Sequence, residues 1–258
     1  MKKQTLYSNL DKNQELFLRQ KVLIGSAEST LRTYRKVFLN INSVVSRLDY
    51  DNQQNLELQV LTYFEDIFDK LNPVTYNVKR RHVVAYFNTL KDLNQIQENP
   101  VHSLHIKKRK EDTVPRPADT NDLKKMLADI NLKTFVGFRD YTFITLIVDT
   151  GIGPSECVRL KEENINFEGL FVNLPAEITK TSRPRVVPLS SVVAECIQGL
   201  LELNHKHFKS EYLFLSEYGK PVGTYVFQKR LKQYSDKLGI KITPYQLRHY
   251  FGTEYLKN

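Results

Sequence analysis

Tryptophan is absent from the 258 residues, and cysteine and methionine occur only twice each. Two cysteines, Cys157 and Cys196, cannot build a disulfide framework, and no cluster of histidines completes a zinc-binding set around them. Both are expected to be reduced thiols packed as small apolar groups. No apolar run approaches the ~20 residues of a membrane span, and the start, MKKQTLYSNLDKNQ, turns polar where a signal peptide needs an apolar stretch. The expectation is a cytoplasmic chain with no membrane partner, no metal and no organic cofactor. What is present suffices to fold: 41% apolar residues, among them 14 Phe and 14 Tyr, supply real cores and exclude wholesale disorder. At about 150 residues per domain, the length suits one large domain or two small ones. Negative charge is the scarcer sign. With 38 Lys and Arg against 29 Asp and Glu the chain carries +9, which favours a polyanionic partner without establishing one.

Helical periodicity fills the first hundred residues. Leu16, Phe17, Val22 and Leu23 recur loosely before Gly25 and Ser26 end the pattern. Ser29 or Thr30 can cap a second helix that turns Leu31, Tyr34, Val37, Phe38, Ile41 and Val45 to one face. Val60, Phe64, Ile67, Phe68 and Leu71 stripe a third, closed by Asn72 and Pro73; a fourth opens at Thr75 with Val78, Val83, Tyr86, Phe87 and Leu90 inward. Periodicity is lost between Asn99 and Pro117, where three prolines flank the run Lys107-Lys108-Arg109-Lys110. Residues 101–117 therefore read as a basic linker between a helical part, 1–100, and a second part, 118–258. The second part opens with a capped helix in TNDLKKMLADI and a largely apolar one in FRDYTFITLIVDTG, ended by Gly151. The β-branched runs INFEGLFVNLP and ITKTSRPRVVPL predict a small antiparallel sheet, after which helices resume. The class is mainly α with a small antiparallel β-sheet, an α+β chain.

In TGIGPSECVRLKEENINF, EITKTSRPRVVPL, YLFLSEYGKPV and RLKQYSDKLGIKITPYQLRHYFGTEYL, the chain resembles the tyrosine recombinase, or phage integrase, family along almost its whole length. The resemblance implies a SAM-like core-binding domain over 1–100, a catalytic-type domain over 118–258, and double-stranded DNA as partner. Attack of a tyrosine on a phosphodiester loads charge onto the nonbridging oxygens. Two forked guanidinium groups stabilise that charge, while a lysine on a β-turn and a histidine-like group manage protons. The family's first arginine lies in T-G-x-R-x-S-E, which reads here Thr150-Gly151-Ile152-Gly153-Pro154-Ser155-Glu156, so Gly153 replaces it; Arg159 sits at a helical offset that points elsewhere. Lys180 matches the β-turn lysine. The H-x-x-R-H signature appears as Tyr245-Gln246-Leu247-Arg248-His249, which keeps the second arginine at Arg248 and puts Tyr245 where histidine is usual, a change the family accommodates.

The family's third histidine or tryptophan and its nucleophile belong several dozen residues past Arg248, and the sequence stops at Asn258. Tyr250 and Tyr255 are too close to Arg248 for that role and are expected to pack their helix. Lys180, Arg248, Tyr245 and His249 are then remnants. The implied function is an integrase fold, lacking the nucleophile segment, that binds DNA sequence-specifically without cutting it, as a repressor of a phage or mobile element and a monomer in solution. One alternative is an active site-specific recombinase seen without its nucleophile segment; a blander one is a remnant that binds DNA nonspecifically.

Arg32, Arg35, Lys79, Arg80 and Arg81 are either solvated helix faces or phosphate and base contacts, and the resemblance puts their helices against DNA. Asn77 and Thr30 are candidate polar readers of bases. Lys107, Lys108 and Arg109 would lie along the backbone as the two parts close on the duplex, or be solvated. Lys180, Arg183 and Arg185 fall on a hairpin, as phosphate contacts or as charges that keep an edge strand soluble. Arg248 needs either a phosphate or a carboxylate, for which Glu156 is the candidate, and His249 is a packed histidine or a phosphate ligand.

Overall fold

The computed structural model describes residues 6–111 and 117–255, apart from the side chain of Tyr255. The chain divides into two compact units, Met1–Thr113 and Val114–Asn258, each with its own apolar core.

In the first unit, α1 (Lys12–Leu23) starts with a capping box: Asp11 accepts from the Gln14 amide while the Gln14 side chain accepts from the Asp11 amide. Its buried face is Gln14, Phe17 and Leu18, not the expected stripe, and Leu16, Val22 and Leu23 face solvent. A polar residue can hold the inner position because Gln14 and Asn42 exchange amide hydrogen bonds at 2.8 and 2.9 Å. Helix α2 (Glu28–Val44) begins from Ala27 without a side-chain cap, ahead of Ser29 and Thr30, and buries Leu31, Tyr34, Val37, Phe38 and Ile41 as its periodicity predicts. Helix α3 (Gln53–Phe68) is capped by Asn52. The Asn72-Pro73 pair that ends the third pattern also starts α4 (Pro73–Asp92): Asn72 accepts from the Thr75 amide and Pro73 takes the first turn, where no amide donor is needed. Phe17, Phe38 and Tyr86 meet edge to face at the centre, with ring centroids 4.8 to 5.8 Å apart.

The basic stretch does not behave as a linker as far as Glu111. Its first residues form a one-turn helix, α5 (Pro100–Ser103), whose Val101 is fully buried in the first unit's core. Arg80 Nε donates to the Ile106 carbonyl at 2.7 Å, and Asn77 clasps Arg109 at both its amide and its carbonyl. Backbone hydrogen bonding and one buried valine outweighed the absence of a periodic pattern, which a four-residue helix is too short to show. Residues 112–116 of that expected linker lie outside the described residues.

The second unit packs its helices around α7 (Phe135–Thr150), which is preceded by α6 (Thr120–Asp129) and ends in a left-handed Gly151. Gly151 has φ 65°, and a Cβ there would stand 2.3 Å from the Phe251 ring, so both backbone and space require glycine. After the single turn α8 (Pro154–Cys157) come β1 (Ile165–Asn166), β2 (Phe171–Leu174) and β3 (Arg185–Pro188), an antiparallel sheet in that order with Leu174 opposite Arg185. Helices α9 (Ser191–His207), α10 (Thr224–Leu238) and α11 (Pro244–Tyr255) complete the unit. Phe143 and Phe227 stack at 3.7 Å in the core. Beside them the fully buried Asp140 accepts from Arg139, Arg230 and Tyr234 at 2.6 to 3.1 Å, and Tyr234 is pushed up to about 12 by burial and by the Asp140 charge.

Candidate active site

Helix α11 is aimed by its cap. Thr243 and Gln246 exchange side-chain-to-amide bonds around Pro244, which starts the helix so that Arg248 leaves it one turn later, beside α8. There Gly153 and Glu156 make a tight turn: the Gly153 amide donates to Glu156 Oε2 at 2.9 Å. The Glu156 side chain is only 5% exposed. From β3, Arg185 forks onto it, Nη1 to Oε1 at 3.0 Å and Nη2 to Oε2 at 2.7 Å, while Arg248 Nη1 stands 3.8 Å from Oε2. Burial pushes the Glu156 carboxyl up, but the hydrogen bonds from Arg185 and Gly153 and the charges of Arg185 and Arg248 outweigh it and hold the group below its ordinary value. Its hydrogen bond to Glu156 raises Arg185 in turn. Two cations thus meet one carboxylate, and the cluster keeps a net positive charge at a half-exposed surface.

The loop between β2 and β3 carries Lys180 and Arg183, both exposed. It is pinned at both ends to the Gly153–Arg159 segment. Arg159 donates to the carbonyls of Glu177 and Ile178, and Arg185 holds the far end through Glu156. Tyr245 and His249 are exposed on α11, so His249 is not a packed core histidine. Tyr250 packs against the core; the Tyr255 side chain lies outside the described residues. Cys157 is buried and its thiol pushed well up by burial; Cys196 is half-buried, and both are free. Among the described residues no group of three His, Cys, Asp or Glu is placed to hold a metal. No helix among them is long and apolar enough to cross a membrane.

The sequence's DNA-contact candidates in the first unit separate into two sets. Asn77, a candidate base reader, is engaged as a brace: its side chain bonds the Arg109 backbone and Glu111, because the chain after α5 folds back over α4. Arg109 is likewise engaged, 4.6 Å above the Phe68 ring and bonded to the Leu71 carbonyl at 2.6 Å. Arg35 holds Leu6 and Ser8, Lys79 holds Asn40, and Arg80 holds Ile106. Arg32, Arg81, Lys107 and Lys108 remain exposed, Arg32 beside Glu28, and Thr30 is half-exposed. Two residues escaped sequence reasoning. Arg159, read only as pointing elsewhere than the first arginine, tethers the lysine loop. Arg185 appeared among the charges of a hairpin and not as part of the arginine cluster. A signal existed, since alternation puts Arg185 on the same half-buried face as Val187, where a charge needs a partner.

The phage integrase family profile matches residues 116–258. The chain belongs to the phage integrase family. Named relatives are tyrosine recombinase XerD proteins. One from Listeria innocua is 25% identical over 67% of this chain and 60% of its own length; one from Staphylococcus saprophyticus is 25% identical over 91% and 81%. A third, from Staphylococcus aureus, is 32% identical over 56% of this chain and 50% of that protein. The chain therefore spans between about half and four fifths of these relatives. The integrase fold is shared with the lambda integrase dimer solved on a COC' core site, with a TM-score of 0.76 at 15% identity, covering 94% of this chain and 88% of that one. It is shared too with the Tn1549 transposon integrase solved with circular intermediate DNA, at 0.74 and 19%, covering 94% and 86%.

These relatives are named for an enzyme, which overturns the expectation of a chain without enzymatic activity; none of them carries the name of a repressor. That expectation rested on the nucleophile segment and on the replacement of the first arginine at position 153. Gly153 brings no charge, but the fold still delivers two arginines to Glu156.

Proposed function

We propose that this chain is the DNA-binding and phosphate-activating part of a site-specific tyrosine recombinase, acting on double-stranded DNA by strand cleavage and rejoining. One observation carries the reading: the loop bearing Lys180 is pinned at both ends to the turn where Arg248 and Arg185 meet the buried Glu156. A positive, half-exposed cluster beside a loop lysine suits a phosphodiester, whose nonbridging oxygens take up charge when phosphorus is attacked. In this reading Arg248 forks onto the phosphate, Lys180 delivers the proton that the departing 5′ oxygen takes, and Tyr245 and Arg183 approach the same strand. Arg32, Arg81, Lys107 and Lys108 supply backbone contacts from the first unit, with Thr30 at the base edges. The resemblance puts the nucleophile several dozen residues beyond Arg248, and Tyr250 and Tyr255, on the same helix as Arg248, are too close to it for that role.

The test starts from duplex fragments that the full gene product selects from its source genome. On nicked versions of the winning site, the protein is expected to form a covalent protein–DNA adduct, and Arg248→Ala and Lys180→Ala are expected to lower its rate at least 100-fold. Selective binding with neither adduct nor strand cleavage would overturn the proposal.

A further inference from the structure

A single forked arginine leaves half of a phosphate's developing charge unmet, and position 153 offers nothing. We propose that Arg185 supplies the second guanidinium: Arg185 and Arg248, gathered by Glu156, together take the two nonbridging oxygens of one phosphodiester. The catalytic part of this inference rests on the recombinase reading; the contact itself does not.

Four observations carry it. Arg185 spends two of its five N–H donors on Glu156, and no other hydrogen-bond acceptor for it occurs among the described residues, so three remain for a ligand. Arg248, at 3.8 Å, is too far from Glu156 for a hydrogen bond, and no acceptor for its side chain occurs among the described residues. The exposures differ little, 36% for the Arg185 side chain and 48% for Arg248, so both are reachable from solvent while the carboxylate at 5% is not. Both nitrogens approach the same Glu156 oxygen, at 2.7 and 3.8 Å, which places the two groups within the span that one phosphate bridges with its two outer oxygens.

Gly153 fits this arrangement. Its backbone, φ −65° and ψ 140°, is one that any residue adopts, so no conformational demand calls for glycine. A Cβ there would stand 2.7 Å from Arg248 Nη1 and 3.0 Å from Glu156 Oε2. The missing side chain is the room in which the Arg248 guanidinium lies beside the carboxylate. Chemically the arginines move no proton: the nucleophile's oxygen bonds to phosphorus and gives up its hydrogen, the bond to the 5′ oxygen breaks, and that oxygen takes a proton. Arg185 and Arg248 offset the charge that the outer oxygens carry through the exchange.

Arg185→Lys tests this, because a lysine keeps the charge opposite Glu156 and loses the fork. Affinity is measured for the selected duplex and for a set in which each phosphate in turn is a neutral methylphosphonate. Arg185→Lys is expected to keep the wild-type melting temperature and to bind about tenfold more weakly. That loss should vanish at one neutralised phosphate, the same one at which Arg248→Gln loses its effect. Unchanged affinity, an equal loss on every duplex, or two different phosphates for the two arginines would overturn the proposal. Should Arg185→Lys melt early, Arg185→Gln/Glu156→Gln, which removes both halves of the ion pair, carries the same comparison. If the wild type forms no adduct while the shared phosphate is found, the recombinase reading fails and this contact stands; adduct formation at full rate by Arg185→Lys would sink the catalytic role of Arg185 alone.

Discussion

Glu156 is the residue on which the most depends. It is buried, accepts from two directions and is held charged by its neighbours. Its folded-state titration lies below the ordinary carboxylate value of 4.5, so its share of stability is fully present above that value and is lost as pH falls through the lower, folded one. Glu156→Gln is accordingly expected to destabilise the second unit by about 1–2 kcal/mol at pH 7, a figure reduced from that of a fully buried pair because Arg185 is partly solvated. Urea unfolding at a series of pH values should show the gap between variant and wild type closing below about pH 4. A constant gap down to pH 2 would mean that the carboxylate's charge contributes nothing.

At the scale of elements, legibility followed the length of the pattern. Helix α2 was readable because five buried apolar residues repeat at three- and four-residue steps. Helix α1 was not, because Gln14 occupies an inner position that only its partner Asn42, 28 residues on, makes tenable. The site divides the same way. Lys180 and Arg248 stand in local signatures, whereas Arg185 and Glu156 are 29 residues apart across a sheet and a loop, and no spacing rule connects them. The strap over α4 was misread for a similar reason: its charges are visible in the sequence, but the amide that holds it sits on another element. Asn77→Ala should therefore free residues 106–111 while leaving α4 formed. Hydrogen exchange is expected to speed up at least tenfold at the Arg109 amide, which loses its acceptor, and to stay unchanged at Val83 to Leu90.

Over the whole molecule, two cores make two separable stabilities. Phe38 and Phe227 are each fully buried, in the first and second units respectively. Phe38→Ala and Phe227→Ala are each expected to cost about 3–4 kcal/mol, and calorimetry should show each lowering one transition while the other stays in place. A single transition that moves equally for both variants would mean that the units unfold as one. The same division gives the charge two kinds of work. In the first unit Arg35, Arg80 and Arg109 serve as struts on neutral carbonyls and keep their charge, and the second unit keeps a positive excess beside Glu156.

The end of α7 adds a mechanical consequence. Gly151 has no Cβ because the Phe251 ring occupies that space, and Phe251 follows Arg248 by three residues, on the same side of α11. Position 151, nearly a hundred residues away in the sequence, is thus the fulcrum against which α11 rests. A single methyl group added there would press the Phe251 ring from 2.3 Å and so load the helix that carries Arg248, without altering one charge in the protein.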